Sequence, residues 1–397
     1  MIFIYRNTIK FIIFAALTVT VFAMTASAAP NNKLIKVGVT ASLSGVYQEQ
    51  GENLLRGIKM WANDVNARGA LLGKDIEIIH YDDQSDPEQS AKLYERLINV
   101  DGVDLLIGPY SSDVTLRASD VAEKYKMPMV SGTAAASQIW NRGYQNIFQV
   151  DLPAEQYLVD GLRVAKARGL KTLAIVFQDS VFTSEVAMGA KKAAEKMDIE
   201  LLVFEQYSSL RSDFSELIKK LVQKKPQLVL GATYFDDAIA IVRESKKQHF
   251  SPLAFGFTSG PSLAAFGEAL GDDAENIIGF TPWIHAVRVP LAFDFDFRYR
   301  HIYGHAADSN AAGGYAAGEV LEAAVRLAGT LDQDKMRKQL QSMSFLSIVG
   351  RYRVDSTGKQ IGKAMYALQW QNNQRRLVLP YIFAEAQINF LLPWEER

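Results

Sequence analysis

The residues of this chain that can hold or transform a small molecule are mainly hydroxyls, small residues and aromatic rings. They cluster in six short segments, each directly after a predicted strand, at residues 41–51, 109–113, 132–137, 178–183, 233–237 and 258–261. In open parallel sheets, ligands collect beyond the carboxyl ends of the strands. Such side chains hold a guest through hydrogen bonds and apolar contacts. The segments therefore predict a binding cleft.

Two of these segments can hold an anion. Ser111 and Ser112 lie where one helix is predicted to begin, and Thr133, Ala134 and Ala135 lie where another does. Free backbone N–H groups at a helix start bind carboxylates and similar anions. For each hydroxyl the alternative is an ordinary role as a helix N-cap.

Aromatic side chains accompany the hydroxyls. Rings form the apolar walls of small-molecule sites, and phenol hydroxyls orient the guest. The alternative for each ring is packing between two parts of the protein. The rings nearest the predicted cleft are Tyr47, Tyr110, Phe182, Tyr234, Phe235 and Tyr315.

The sequence contains no recognisable catalytic constellation. It lacks G-x-S-x-G, P-loop and H-E-x-x-H motifs, and it has no cysteine. His301 and His305 have an i, i+4 spacing that suits a shared metal, but no third ligand lies at a familiar spacing. Asp82 and Asp83 form either a cation site or a turn whose carboxylates bond nearby backbone. We expect no enzyme activity, no cofactor and no metal.

The first 28 residues have the pattern of a cleavable secretory signal. Arg6 and Lys10 precede an apolar run at 11–24, and small residues at 26–28 supply a cleavage site. The run is shorter than the ~20 residues of a spanning helix, although a retained anchor is the alternative. The balance of 43 basic and 44 acidic residues argues against nucleic acid as a partner. We expect an exported protein that works outside the cytoplasm with a small-molecule ligand.

The rest of the chain alternates β-rich runs with helical periodicity, which is typical of α/β proteins with parallel sheets and crossover helices. Two such series predict two Rossmann-like lobes, and late helices returning to the first lobe predict a hinge. We place lobe 1 at 30–150 plus 282–352, lobe 2 at 151–281 plus 353–384, and a C-terminal tail, docked or free, at 385–397. The predicted strands are 35–40, 75–81, 104–108, 127–131, 172–177, 201–207, 228–231 and 253–257. The predicted helices are 53–68, 87–99, 114–126, 154–168, 184–197, 214–225, 236–247, 311–330 and 334–343. A hairpin is predicted at 366–381.

Five short sequence words now identify a resemblance. The order of elements and the words VGVTASLSG, G-x-x-x-x-R-G, YDDQSDP, GPYSS and SGTAAAS resemble the type I periplasmic binding proteins. The branch that looks most similar feeds ABC transporters for branched-chain amino acids, amides and related solutes. The resemblance implies two lobes with a three-strand hinge, a cleft that closes on its ligand, and delivery to an ABC transporter permease in the inner membrane.

The resemblance also implies roles for individual residues. It places the ligand's carboxylate on Ser112 and on the run from Thr133 through Ala134 to Ala135. It places the opposing wall on Phe182 and Tyr234, with Tyr315 contributing from the late helix.

Several positions depart from the family's amino-acid binders. Ala135 stands where a hydroxyl is common, and Phe182 stands where a tyrosine is common. Thr258 or Ser259 occupies the place of the acid that would hold an α-ammonium group. One alternative is that a neighbouring acid replaces the missing one, and the candidates are Asp179, Asp236 and Asp237. Otherwise the ligand is a small carboxylate, amide or aromatic solute rather than an α-amino acid. Ser85 and Ser111 replace a pair that often forms a disulfide.

Other functional classes stay open at this point. A sensory or regulatory subunit can use the same fold to control a partner, and an enzyme can be built on a doubly wound fold. A structural protein of the envelope is a further alternative.

Overall fold

A computed structural model describes residues 34–287 and 289–396, so the predicted signal at 1–28 lies outside the described residues. The protein has two lobes, each built around its own sheet. Within the described ranges, no helix has both the length and the apolar character needed to cross a membrane.

The sheet of lobe 1 consists of five parallel strands. They are β1 (Ile35–Ala41), β2 (Ile76–Asp82), β3 (Leu105–Ile107), β4 (Met129–Ser131) and β5 (Ile147–Gln149). Their spatial order is β2-β1-β3-β4-β5, as in a doubly wound fold. The connecting helices are α1 (Gln48–Ala67), α2 (Pro87–Arg96) and α3 (Ser112–Lys124).

The chain then builds lobe 2 with the same alternation. Its helices are α4 (Val159–Ala167), α5 (Val181–Lys196), α6 (Ser215–Lys224), α7 (Phe235–Lys247) and α8 (Ala264–Leu270). Its parallel strands are β6 (Thr172–Gln178), β7 (Glu200–Tyr207), β8 (Leu228–Ala232), β9 (Ala254–Phe257) and β10 (Ile278–Thr281).

The last part of the chain contributes to both lobes. Three helices, α9 (Ala292–Tyr303), α10 (Ser309–Ala328) and α11 (Gln333–Ser342), are followed by the small hairpin of β11 (Phe345–Ser347) and β12 (Gly350–Tyr352). A second hairpin, β13 (Tyr366–Gln371) and β14 (Gln374–Leu379), turns at Asn372 and Asn373 as expected. It adds two antiparallel strands to the sheet of lobe 2, whose order is β14-β13-β10-β9-β8-β6-β7.

Helix α10 returns to lobe 1 and packs directly on α1. The two backbones approach so closely that only glycine fits at the contact. A Cβ on Gly57 would lie 1.9 Å from the carbonyl oxygen of Ala311, and a Cβ on Gly314 would lie 2.2 Å from that of Leu54. Small residues at this spacing explain why a late Ala-rich helix belongs to the first lobe.

The chain passes between the lobes three times. Hydrogen bonds join the first crossing, after β5, to the third, before β13. Gln149 donates its backbone N–H to the carbonyl oxygen of Gly358 at 2.9 Å, and Gln360 donates its backbone N–H to the side-chain oxygen of Gln149 at 3.1 Å. The middle crossing is tied to lobe 1 by Trp283, whose indole N–H donates to Ile348.

The strand and helix pattern expected from the sequence agrees with most of the structure, but helices begin earlier at the cleft. Helix α1 begins at Gln48 rather than at 53, α3 begins at Ser112 and α5 begins at Val181. Serine caps set the starts of α3 and α5, which apolar periodicity does not reveal, whereas α1 begins after Tyr47 without a side-chain cap. Ser180, for example, forms a capping box with Thr183.

The predicted helices did not include α8 and α9, and the predicted strands did not include four short ones. Strands β5, β11 and β12 have three residues each and β10 has four. Runs this short carry no period that a pattern can detect.

The C-terminal tail is docked on lobe 2. Leu391 donates its backbone N–H to Leu253, and Gln369 donates its side-chain N–H to the carbonyl oxygen of Asn389. Trp394 is buried and its indole N–H donates to Phe250. The tail therefore extends the core of lobe 2.

The close packing of α1 on α10 generates a stability prediction. Gly57→Ala forces the two helices apart, because its Cβ overlaps the carbonyl of Ala311, and we expect the free energy of unfolding to fall by about 1–3 kcal/mol. Urea denaturation measures this change. Asn63→Ala, on the exposed face of α1, is the control and should change stability by less than about 0.5 kcal/mol. Equal stability of the two variants would contradict the packing argument.

Candidate functional site

A cavity lies between the lobes, at the carboxyl ends of their strands, where the sequence predicts a cleft. It contains about 760 Å³ of unfilled space including its mouth. Hydroxyls, amides and rings dominate its wall, which is formed by Gln50, Tyr110, Ser111, Ser112, Thr133, Asp151, Tyr157, Phe182, Tyr234, Phe235, Thr258, Ser259, Gly260, Ser262, Leu263, Thr281, Pro282, Ser309 and Asn310.

The N-terminus of α3 forms the floor of the cavity on the lobe 1 side. Ser111 is the N-cap, because its hydroxyl accepts the backbone N–H of Val114 at 3.1 Å. Ser112 has a different role. Its hydroxyl oxygen accepts the backbone N–H groups of Ala135 and Ala136, both at 3.1 Å. Two acceptor sites are thereby used, and the hydroxyl proton of Ser112 remains available to an acceptor atom in the cavity.

The helix itself reinforces this preference for an acceptor. The first N–H groups of a helix have no partner within it, and the N-terminus carries a partial positive charge. Helix α3 has 13 residues and begins at the cavity wall. A carboxylate at this floor would meet the Ser112 hydroxyl and the helix N-terminus together.

The segment after β4 has mixed roles. Thr133 lines the cavity, and its hydroxyl donates to the carbonyl oxygen of Tyr110 at 2.9 Å. It can therefore only accept a hydrogen bond from a guest. Ala134 and Ala135 are buried but do not line the cavity; the carbonyl of Ala135 accepts from Ala154 across the first crossing.

Aromatic rings form the opposing wall. Phe182 lies edge-on to Tyr157 with ring centres 5.1 Å apart, and Tyr234 lies 6.3 Å from Phe182. Tyr47 does not line the cavity, but its ring contacts Tyr110 at 5.6 Å and Tyr234 at 5.8 Å, so it connects the two lobes. Burial raises the pKa of Tyr47 to about 12, and the phenol stays neutral.

The structure places Tyr315 outside the cavity, contrary to the expectation from the sequence. Its hydroxyl donates to Asp64 at 2.7 Å, and its ring lies 4.9 Å from that of Phe295. Only the start of α10, at Ser309 and Asn310, reaches the cavity. Tyr315 is six residues farther along the helix and faces α1 and α9.

Thr258 lines the cavity, but its hydroxyl is already engaged. It accepts the backbone N–H of Thr233 at 3.1 Å and donates to the carbonyl oxygen of the same residue at 2.9 Å. The pair fixes the spacing of the loops after β8 and β9. The Thr258 hydroxyl therefore has no proton to offer a guest.

The three acids considered as substitutes for an ammonium partner do not line the cavity. Asp179 accepts the backbone N–H of Ser209 at 2.7 Å. Asp237 accepts from Gln178 and Tyr207, both at 2.9 Å, and Asp236 is exposed. Asp179 and Asp237 are thus occupied by neighbouring segments of lobe 2.

Asp151 is the one carboxylate in the wall formed by the described residues, and sequence reasoning missed it. It receives the hydroxyl of Tyr157 at 2.7 Å, the backbone N–H of Leu152 at 2.6 Å and the ammonium group of Lys363 at 3.4 Å. No motif marks Asp151, because its position in the cavity follows from the path of the first crossing. An ion pair already neutralises its charge.

The other polar pairs singled out in the sequence have structural roles. Asp83 accepts the hydroxyls of Thr40 and Ser42, and Asp82 accepts the backbone N–H of Leu43, so both shape the loop after β1. His301 lies in α9, whereas His305 follows the left-handed Gly304 that ends it. In the described part of the chain, no group of three or more acidic or histidine side chains is placed to hold a metal.

Hydrogen bonds across the cleft join the two lobes in the closed arrangement. The carboxylate of Glu185, on α5, accepts the backbone N–H groups of Ser137 at 2.5 Å and Gln138 at 2.8 Å from lobe 1. Asp113, on α3, accepts the backbone N–H of Val181 at 3.3 Å. Burial raises the pKa of Glu185, and the two N–H donors oppose that shift.

Comparison with known proteins gives one family and several relatives of known structure. A family model described as "Periplasmic binding protein" matches residues 34–375. The leucine-, isoleucine-, valine-, threonine- and alanine-binding protein of Pseudomonas aeruginosa is 25% identical over 372 residues, covering 92% of this chain and 96% of the relative.

Two solved structures share the fold. A branched-chain amino acid transporter substrate binding protein from Streptococcus pneumoniae, in complex with isoleucine, has a TM-score of 0.79 at 20% identity and covers 90% of this chain and 100% of that one. A solute binding protein of an ABC transporter from R. palustris, in complex with benzoate, has a TM-score of 0.77 at 19% identity and covers 91% and 97%. The same fold thus accommodates an amino acid in one protein and an aromatic acid in another.

The Glu185 contacts generate a prediction about closure. Glu185→Ala removes the acceptor of the Ser137 and Gln138 N–H groups. Hydrogen bonds to a charged group stabilise by about 1.5–3 kcal/mol, so we expect amide exchange at these two positions to accelerate roughly ten- to a hundredfold. Hydrogen–deuterium exchange measures it. Glu195 is exposed on the same helix, so Glu195→Ala should leave the exchange unchanged. Unchanged exchange in Glu185→Ala would contradict a role of Glu185 in holding the lobes together.

Proposed function

Because the chain belongs to the periplasmic binding protein family, we propose that it captures a small carboxylate with an aromatic or apolar body between its lobes. The family model covers most of the chain. The bound solute is then delivered to an ABC importer. The observation that carries the choice of ligand is the combination of a donor floor at Ser112 with a cavity wall that offers no free acid.

The carboxylate end of the guest is assigned to the floor. Ser112 can donate its hydroxyl proton, since backbone N–H groups already occupy its oxygen. The α3 N-terminus supplies backbone N–H groups and favourable charge. Thr133 can accept from a hydroxyl or amide of the guest. These three features describe a site for a carboxylate that carries a further polar group.

The body of the guest is assigned to the ring wall. Phe182 carries no hydroxyl and is edge-on to Tyr157, so it offers an apolar surface. Tyr234 and Tyr110 add two further rings to the wall. A planar aromatic group is the shape that these faces contact best.

An α-amino acid fits less well. Its ammonium group needs an anionic partner once it is removed from water, and an unpaired buried charge costs several kcal/mol. Thr258 or Ser259 stands where the resemblance expects that partner; neither is an acid, and the Thr258 hydroxyl is engaged with Thr233. Asp151 is neutralised by Lys363. The amino-acid specificity of the Pseudomonas relative is therefore not transferred to this chain.

We further propose that the mature protein works in the periplasm as a monomer, with a permease of the inner membrane as its partner. The secretory pattern of residues 1–28 supports export. The family supports the transporter, since its members bind solutes rather than transform them.

The choice of ligand can be tested with the wild-type protein and two probes. We expect benzoate to bind at least roughly tenfold more tightly than leucine, because only leucine carries an ammonium group that lacks a partner. Isothermal titration calorimetry on protein refolded free of co-purified solute gives both dissociation constants. Tighter binding of leucine would overturn the aromatic-acid assignment and favour an amino-acid carrier.

Two buried hydroxyls of the wall separate binding from folding. Ser112→Ala removes a free donor to the carboxylate and also the acceptor of the Ala135 and Ala136 N–H groups, so we expect benzoate affinity to fall roughly ten- to a hundredfold and unfolding to become easier. Thr258→Val removes hydroxyl bonds that serve only Thr233, so unfolding should become easier by about 1–3 kcal/mol while affinity changes little. Calorimetry and thermal melts on both variants provide the measurement. Equal losses of affinity would show that Ser112 has no special role.

A further inference from the structure

A buried ion pair borders the ligand cavity at the hinge. Asp151 lies in the first crossing and lines the cavity, and Lys363 lies in the third crossing. The ammonium nitrogen of Lys363 is 3.4 Å from a carboxylate oxygen of Asp151, and the two side chains are only 4% and 5% exposed. The pair is therefore shielded from solvent. Away from water, a charge acts over the width of a small cavity.

The ion pair is not needed to hold the crossings together. A backbone hydrogen bond already joins Gln149 to Gly358. Gln360 adds hydrogen bonds to Gln149 and to Val150. A buried ion pair is itself a weak source of stability, because desolvation offsets the attraction of the charges. A role in the cavity explains its presence better than a role in joining the hinge.

The two members of the pair depend on each other for their charges. Burial raises the pKa of Asp151, and Lys363 opposes that shift. Burial lowers the pKa of Lys363, and Asp151 opposes it in turn. Asp151 accepts two further hydrogen bonds, from the Tyr157 hydroxyl and the Leu152 N–H. The ammonium group of Lys363 forms its ion pair with Asp151.

We propose that Lys363 sets the charge preference of the cavity, since it neutralises the Asp151 carboxylate that would otherwise repel an anionic guest and attract a cationic one. The inference rests on the proposed function, because it explains how a wall that contains a carboxylate accepts a carboxylate ligand. Lys363 acts through Asp151 and is a specificity-determining residue. Tyr157 carries the effect to the ring wall, because it bonds Asp151 and contacts Phe182.

Three probes with the same ring and different charges test the proposal. They are benzoate, benzamide and benzylamine, measured by calorimetry at neutral pH. In Lys363→Met the Asp151 carboxyl lacks its cation and ionises when a cationic guest takes the place of Lys363, so we expect the ratio of benzylamine to benzoate affinity to rise at least a hundredfold. In Asp151→Asn the Lys363 amine lacks its anion and is protonated when an anionic guest takes the place of Asp151, so the same ratio should fall at least tenfold. Benzamide, which is uncharged, should change least in both variants.

Matched controls separate charge from damage. Lys359 lies on the same crossing as Lys363 but outside the cavity wall, and it pairs with Glu155. Lys359→Met removes this pair and should leave the ratio unchanged. The double variant Asp151→Asn with Lys363→Met carries neither charge and should return the ratio to near the wild-type value. A purely structural role would weaken all three probes alike.

The outcomes are distinguishable from those for the proposed function. Wild-type protein that does not bind benzoate contradicts the proposed ligand, while a difference in benzylamine affinity between the two single variants still tests Lys363. If Lys363→Met fails to give a cooperative thermal melt, Asp151→Asn decides alone. Ratios within threefold of wild type in the folded variants would overturn the inference.

Discussion

Polar groups that the closing lobes bury must find partners, and this constraint determines what the cavity can hold. Most groups of the wall are satisfied within the protein. Thr258 is bonded twice to Thr233, and Asp151 is paired with Lys363. The hydroxyl proton of Ser112 and the start of α3 are left to the ligand. The groups without an internal partner, rather than the number of polar groups, define the chemistry of the guest.

The hinge makes this arrangement possible. Because the first and third crossings lie side by side, a residue of one can face a residue of the other, as Asp151 faces Lys363. The return of α10 to lobe 1 requires the middle crossing, and its glycines require close contact with α1. Its first turn then brings Ser309 and Asn310 to the cavity. Distant parts of the sequence thereby meet at one wall.

Contacts across the cleft hold the two lobes together. Glu185 accepts two backbone N–H groups of lobe 1, and Tyr47 places its ring between Tyr110 and Tyr234. These contacts favour the closed state, and a ligand that binds the closed state more tightly than an open one shifts the balance further towards closure. Capture and release need this reversibility.

The sequence by itself determined the α/β alternation, the two lobes and the loops that line the cleft, because hydrophobic periodicity and strand-end loops are local signals. It also pointed to Ser112, Thr133, Phe182 and Tyr234, which line the cavity. It did not predict Asp151, Tyr157 or the three-residue strand β5, and it placed Tyr315 in the cavity rather than against Asp64. Only the tertiary structure decided which hydroxyls remain free and which carboxylate is neutralised, because each depends on a partner far away in the chain.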